Sequence, residues 1–347
     1  MPDAHSNSLA EIVDDTSAWI AADYSDERQW LVQLTDAHVK ELVAALPGAK
    51  AQGDAKGLGF RREDFDLPTL GPILEDLSDE IQDGRGFAVL RGIDTQRHSE
   101  EDLAAMVWGI GTYFGSGIYQ NKDGDLIGSV KDYGERYEGG DPYLSGVRFY
   151  RTSADLPPHT DSCDVVGLMC VRQPLKGGES GVVSAMALHN EIVRTRPDLV
   201  APLHDGFHID LVGKGTADNQ VSHRRIPVFS WFDGKLSCRY NKRQIELGAE
   251  KSGDGLSSKH QEAIDYVRQL SIDPRFKLSM ILMPGDLQFL NNRTTLHSRE
   301  GFEDGADEAQ RRLMFRLWLI TPDGRPLAPE MADQLNTGPR GAVQPRT

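Results

Sequence analysis

The chain has 347 residues, 39% hydrophobic and 26% charged, with a formal net charge of −15. This is the composition of a globular protein able to bury a sizeable core. No apolar run reaches the ~18 residues of a membrane helix, and the excess of acid argues against nucleic-acid binding, which needs clustered Lys and Arg. The expected partner is a small molecule, not nucleic acid or a membrane, with a homo-oligomer left open. The start, MPDAHSNSLAEIVDD, lacks the basic and then apolar pattern of a secretory signal and predicts a cytoplasmic protein. Cys163, Cys170 and Cys238 form no CxxC unit and are expected as small buried apolar residues.

In chain order, TDAHVKELVAAL (35–46) reads as a helix capped by Thr35 and ended by Pro47-Gly48. A Gly/Lys-containing loop follows. Pro72 opens a second helix, with Ile73, Leu74, Leu77 and Ile81 at helical spacing. The apolar run Phe87 to Leu90 reads as a buried strand, and Ser99 with Asp102 as a capping box for a helix through about Phe114. From there short apolar runs alternate with turns: VVGLMCVR (165–172), FHIDLV (207–212), IPVFSWFDG (226–234), LSMILM (278–283), LQFLNN (287–292) and LMFRLWLI (313–320). Helices interrupt them after Ser184, up to Pro197, and after Ser257, to about Leu270. Many short strands with few helices do not form alternating βαβ units. The expected class is mainly β with flanking helices (α+β), a jelly-roll core. One domain is expected over 1–347: a mostly helical elaboration (1–83), the core (84–322) and a loosely packed tail (323–347) rich in Pro, Gly and polar residues.

Two histidines and one carboxylate on one face of an ion leave the other positions open to reactants, the triad of mononuclear iron(II) oxygenases. On extended chain a His-x-acid unit supplies two of the three, because side chains two apart share a side. Five such units occur: His98/Glu100, His159/Asp161, His189/Glu191, His208/Asp210 and His260/Glu262. The first, third and fifth lie in or beside helical patterns, where i and i+2 diverge by about 200°. Of the two extended pairs, His159/Asp161 follows Pro157-Pro158 and precedes an apolar strand, which places it at a strand mouth. His208/Asp210 sits between apolar neighbours and is the weaker choice. A third ligand must come from far along the chain, and His297, after a turn and strand, is the candidate.

The run QRRLMFRLWLI (310–320) carries three arginines on an apolar strand. Parity puts Arg312, Met314, Arg316 and Trp318 on one face and Arg311, Leu313, Phe315 and Leu317 on the other. Burying arginine is costly unless an anion pairs with it, and the guanidinium fork matches a carboxylate. The alternative is internal ion pairing, with Asp286 or Glu300 as partners for Arg316. Gly177-Gly178-Glu179-Ser180 reads as a hairpin turn that puts a hydroxyl at the start of the next strand.

Together, HTD (159–161), GGES (177–180), His297 and RRLMFR (311–316) resemble the taurine/2,4-D dioxygenase family of the clavaminate-synthase-like superfamily, over roughly residues 84 to 322. The resemblance implies a double-stranded β-helix core and an oxygenase using iron(II), 2-oxoglutarate and dioxygen. It implies His159, Asp161 and His297 as iron ligands and catalytic centre, with Arg312 and the Ser180 hydroxyl on the distal carboxylate of 2-oxoglutarate. It further implies Arg316 facing substrate and, more loosely, Gln120 in the loop 117–125 touching substrate or co-substrate. Parity does not decide between Arg311 and Arg312. The carboxylate at 161 argues for hydroxylation, desaturation or ring closure over halogenation, with succinate and carbon dioxide released. The expected substrate is an amino acid, an organic acid or a natural-product intermediate. The competing readings are a non-catalytic cupin-like binding module and a jelly-roll metal enzyme that does not use 2-oxoglutarate.

Overall fold

The computed structural model describes residues 9–135, 151–214 and 220–345. Its major sheet has seven strands. The order is β1 (Leu31–Gln33), β2 (Phe87–Arg91), β12 (Leu287–Asn291), β6 (Val165–Arg172), β15 (Leu313–Ile320) and β3 (Ser116–Gly117), with β4 (Ile127–Val130) also on β15. Only the β1–β2 pairing is parallel among these. The minor sheet, all antiparallel, runs β11 (Lys277–Met280), β8 (Ser180–Ser184), β13 (Thr295–Arg299) and β5 (Leu156–His159). Two ribbons complete the strands among the described residues: β9 (Phe229–Phe232) with β10 (Lys235–Cys238), and β7 (Lys176–Gly177) with β14 (Phe302–Glu303).

Alternation along single strands shows how the layers stack. On β15, Leu313, Phe315, Leu317 and Leu319 enter a core shared with α1 (Asp36–Lys50), α2 (Gly71–Gln82) and α3 (Glu100–Gly111). Met314 and Trp318 enter a second core, where they meet Val182 of β8 and Leu278 and Met280 of β11. The two sheets thus pack face to face. Val183 of β8 and Leu296 of β13 turn the other way. They meet α4 (Ala185–Thr195), α5 (Val200–His204), α6 (Lys242–Ser252) and α7 (Ser258–Ser271) in a third core. Because both faces of β6 and β15 are covered, they read as unbroken apolar runs. Each fully buried Leu or Phe contributes about 1.5–3 kcal/mol.

Several elements depart from the sequence reading. Helix α1 takes its N-cap from Thr35, whose hydroxyl accepts the His38 N–H, but it continues through Pro47 to Lys50. Burial of Leu46 and Ala49 and a 2.6 Å ion pair from Lys50 to Asp102 of α3 offset the hydrogen bond that Pro47 removes. Asp102 therefore serves Lys50, while Ser99 alone caps α3. Gly177 and Gly178 turn with φ of 76° and 81°, but they do not close a hairpin: β7 pairs with β14, and β8 with β11 and β13. The FHIDLV run is not a ladder strand. It makes two isolated bridges and lies against α6, where a Cβ on Gly248 would come within 2.0 Å of the His208 carbonyl oxygen. Helix α6 itself was not anticipated, although Asn241 caps it and Gly253, at φ 80°, ends it. The segment after Pro322, with α8 (Pro329–Ala332), is anchored where loose packing was expected. Met331, Leu335 and Val343 are buried, and Arg340 pairs with Asp164. The elaboration over 1–83 also contributes β1 to the sheet. All three cysteines are buried and free.

Candidate metal and co-substrate centre

The register of the minor sheet places two histidines side by side. His159 ends β5 and lies directly across from His297 of β13, with ring centroids 4.3 Å apart. Asp161 follows two residues on. Its Oδ1 lies 3.7 Å from His159 Nε2, and its Oδ2 lies 3.9 Å from His297 Nε2. One donor atom from each lies within 4.8 Å of the other two, and this is the single such group among the described residues. All three side chains are buried.

The chemistry of these donors fits a divalent cation. His159 Nδ1 lies 2.8 Å from the Pro157 carbonyl oxygen. It therefore carries the proton and donates it there, leaving the Nε2 lone pair toward Asp161. Burial lowers the pKa of both histidines. For His297, burial and then the neighbouring His159 bring it down to about 3. Both rings are thus neutral at pH 7, as metal ligation requires. For Asp161, burial pushes the carboxyl up, but Arg316 and then the two histidines outweigh it and hold it below the usual carboxylate range. Its Oδ2 accepts from Trp318 Nε1–H at 2.8 Å and from Arg316 at 3.3 Å, and its own N–H donates to Asn292 Oδ1 at 3.0 Å.

Beside the triad, a narrow cavity is lined by Ser180, Arg312, Arg299, His159 and His297. Arg312 is buried and lines this cavity, whereas Arg311 is exposed. The exposed Arg311 faces Glu308 at 3.7 Å. Arg312 has no carboxylate partner among the described residues. Its Nη1 is buried without a hydrogen bond, and burial lowers its pKa to about 10. Gly178 packs against it, since a Cβ there would lie 3.5 Å from Arg312 Nε. Arg299 differs in that its Nη2 donates to the Thr152 and Ala154 carbonyls. Ser180 opens β8 and is buried in the same cavity.

Arg316 is half-buried, and its acid is neither Asp286 nor Glu300. Those pair with Arg91 and Lys277, at 2.7 Å and 2.8 Å. Arg316 instead bonds Asp161 and, through Nε, Gln120 Oε1 at 2.9 Å. Gln120 is buried and donates to the Leu126 and Arg316 carbonyls, so it braces Arg316. His208 and Asp210 remain apart from the triad's donors. His208 meets the Ser222 carbonyl at 2.8 Å, and Asp210 pairs with Lys251 at 2.9 Å. Sequence reasoning missed three residues around the triad: Trp318, Asn292 and Arg239. Parity offered a signal for Trp318, which shares the Arg316 face. Arg239 is fully buried and bonds the Thr160 carbonyl and hydroxyl, between the two ligand positions.

A jelly roll with a buried two-histidine, one-carboxylate triad and an unpaired arginine beside it defines a mononuclear iron(II) oxygenase that uses 2-oxoglutarate. The comparisons make this specific. Residues 48–318 match the family described as taurine catabolism dioxygenase TauD, TfdA family, and the chain belongs to it. It is 32% identical to the taurine hydroxylase-like protein SAT17 of Stachybotrys chartarum, over 89% of this chain and 80% of that protein. It is 29% identical to FR-33289 synthase of Streptomyces rubellomurinus, over 91% of this chain and 93% of that protein. In fold it is similar to asparagine oxygenase in complex with Fe(II), 3-hydroxyasparagine and succinate. The TM-score is 0.64 at 17% identity, over 84% of this chain and 94% of that one. The protein is an iron(II)- and 2-oxoglutarate-dependent dioxygenase. No helix among the described residues is long and apolar enough to cross a membrane.

Proposed function

We propose that His159, Asp161 and His297 hold the iron and that Arg312 with Ser180 holds the distal carboxylate of 2-oxoglutarate. The observation that carries this is the buried, unpartnered Arg312 guanidinium in the cavity that also reaches His159 and His297. A carboxylate would satisfy it bidentately, and the Ser180 hydroxyl would donate to the same group. Iron and 2-oxoglutarate, when bound, supply oxidation of an unactivated C–H bond with release of succinate and carbon dioxide.

The chain's own residues do the positioning. Arg316 and Trp318 keep Asp161 ionised and fixed in orientation, the Pro157 carbonyl sets the tautomer of His159, and Gln120 holds Arg316 in place. Arg316 thus acts on Asp161, and it also lines the cleft where a substrate contact is expected. The substrate, a small molecule, enters the cleft lined by Pro158, Asp161 and Arg316 together with the first turn of α6. Hydroxylation is the favoured outcome, supported by the taurine hydroxylase-like relative. An amino acid, an organic acid or a natural-product intermediate is the substrate class, and one domain carries the whole activity. The test is a panel of such compounds scored for stimulated succinate formation, with iron, oxygen or 2-oxoglutarate omitted in turn. Succinate release that persists without iron or oxygen contradicts the reading.

A further inference from the structure

Gln288 is a polar residue in an apolar place. On β12 its neighbours Leu287 and Phe289 enter the core beneath the helices, while Gln288 shares its face with Leu290, in the core between the two sheets. It is 1% exposed. Its one hydrogen bond among the described residues runs from Nε2 to Met280 Sδ at 3.1 Å. A thioether is a weak acceptor, and the amide oxygen takes no donor from these residues. A buried amide satisfied this poorly is costly unless something outside the chain completes it.

Its position is a separate observation. Gln288 lines the same narrow cavity as Arg312, Ser180 and the two histidines of the triad. Register locates it there. In the minor sheet His159, His297, Ser180 and Met280 lie on four successive strands, β5, β13, β8 and β11. Ser180 and Met280 are direct partners. The Gln288 amide, held against Met280, therefore lies on the side of Ser180 away from His159. Across the major sheet Leu168 and then Arg316 continue its row, and both also line the cavity.

Resting on the oxygenase reading above, we propose that Gln288 is a specificity residue for the co-substrate: it donates to the distal carboxylate of 2-oxoglutarate from behind and sets the length of 2-oxo diacid that the cavity takes. A carboxylate accepts about four hydrogen bonds. The Arg312 fork and the Ser180 hydroxyl supply three of them. The fourth falls to a donor on the side of Ser180 away from the triad, where Gln288 stands. The torsion that turns a glutamine amide is soft, so its NH2 group exchanges Met280 for a carboxylate, a stronger acceptor, without movement of the strand. A diacid one methylene longer would drive its carboxylate into the amide.

The test titrates 2-oxoglutarate and 2-oxoadipate anaerobically into the iron(II) protein and reads binding by visible charge-transfer absorption. Bound iron and melting temperature report that each variant is loaded and folded. The wild type should bind 2-oxoglutarate roughly ten-fold or more tightly than 2-oxoadipate, the worth of one misplaced methylene. Gln288→Leu, similar in size but without an N–H, should weaken 2-oxoglutarate roughly ten-fold or more. Gln288→Asn keeps the amide but withdraws it by one methylene, and should narrow the preference over 2-oxoadipate. Loaded, folded variants that keep both the wild-type affinity and the wild-type preference overturn the proposal. So does a fall in melting temperature with the preference unchanged, which would mark Gln288 as packing alone. If Gln288→Leu does not fold, Gln288→Asn still decides, because the preference is a ratio read within one protein. If the wild type never develops the absorption, the oxygenase reading itself fails, and this proposal with it.

Discussion

Two His-x-Asp units of the chain share a pattern and differ in everything around it. At 159–161 the histidine's Nδ1 is held by the Pro157 carbonyl, and the aspartate is held by Trp318 and Arg316. A second histidine lies across the sheet. At 208–210 the histidine also meets a carbonyl, from Ser222, but its other nitrogen faces Asp254 at 3.6 Å, and the aspartate is taken by Lys251. The motif becomes a metal site only where register supplies a third ligand and the carboxylate keeps an oxygen free of lysine. Asp161 meets this condition: its hydrogen bonds from Trp318 and Arg316 both fall on Oδ2.

This contrast breaks most sharply by substitution. His159→Ala, Asp161→Ala and His297→Ala should each lose bound iron and nearly all succinate formation, whereas His208→Ala should keep both. Metal analysis and succinate assays on all four variants decide it. An active, iron-replete His297→Ala protein would overturn the site assignment.

A second contrast sets Arg312 against Arg311. A charge-assisted, desolvated contact is worth about 1.5–3 kcal/mol, so Arg312→Ala should raise the 2-oxoglutarate requirement roughly ten- to a hundred-fold. Arg311→Ala, which removes an exposed pairing to Glu308 and an exposed hydrogen bond to the Ala306 carbonyl, should change it little. The KM for 2-oxoglutarate in the two variants is the readout, and the reverse order would place the co-substrate elsewhere.

Much of this was legible because strand parity and local capping are short-range. The 165–172 and 313–320 runs appear with those bounds as β6 and β15, and the Arg312/Arg316 face divides from the Leu313/Phe315 face as parity requires. What was not legible depended on partners distant in sequence. The acid for Arg316 is 155 residues away, and the brace for it is Gln120. FHIDLV alternates like a strand but packs on the backbone of α6, a helix whose Asn241 cap and Gly253 stop were present but unread. The GGES turn has hairpin residues yet joins two sheets, because pairing partners are chosen by the whole barrel and not by the turn.

A smaller effect separates Trp318 from Arg316. Trp318→Phe removes one hydrogen bond to Asp161 and should lower iron affinity about two- to ten-fold, as expected for about 0.5–1.5 kcal/mol. Arg316→Gln removes charge as well and should cost more. Equal iron affinity in both variants and the wild type would mean that neither shapes the ligand.

The mildest difference is in acid. Burial and then His189 bring the pKa of His204 down to about 4, and its Nε2 has no hydrogen bond. The unfolded chain binds this proton below about pH 6.5 and the folded chain does not. Stability is therefore lost as pH falls from 6.5 toward 4. His204→Phe should reduce that loss by about 1–2 kcal/mol at pH 5. Denaturation midpoints of the metal-free proteins at pH 7 and pH 5 check it, and an identical loss in the variant contradicts it.

The central claim is that one triad and one arginine load iron and 2-oxoglutarate side by side. Anaerobic titration of 2-oxoglutarate into the iron(II) protein, followed by visible charge-transfer absorption, tests it most directly. The wild type should develop the absorption saturably. His297→Ala should not develop it, and Arg312→Ala should reach it only at much higher 2-oxoglutarate. Full absorption at wild-type concentrations in either variant would contradict the account.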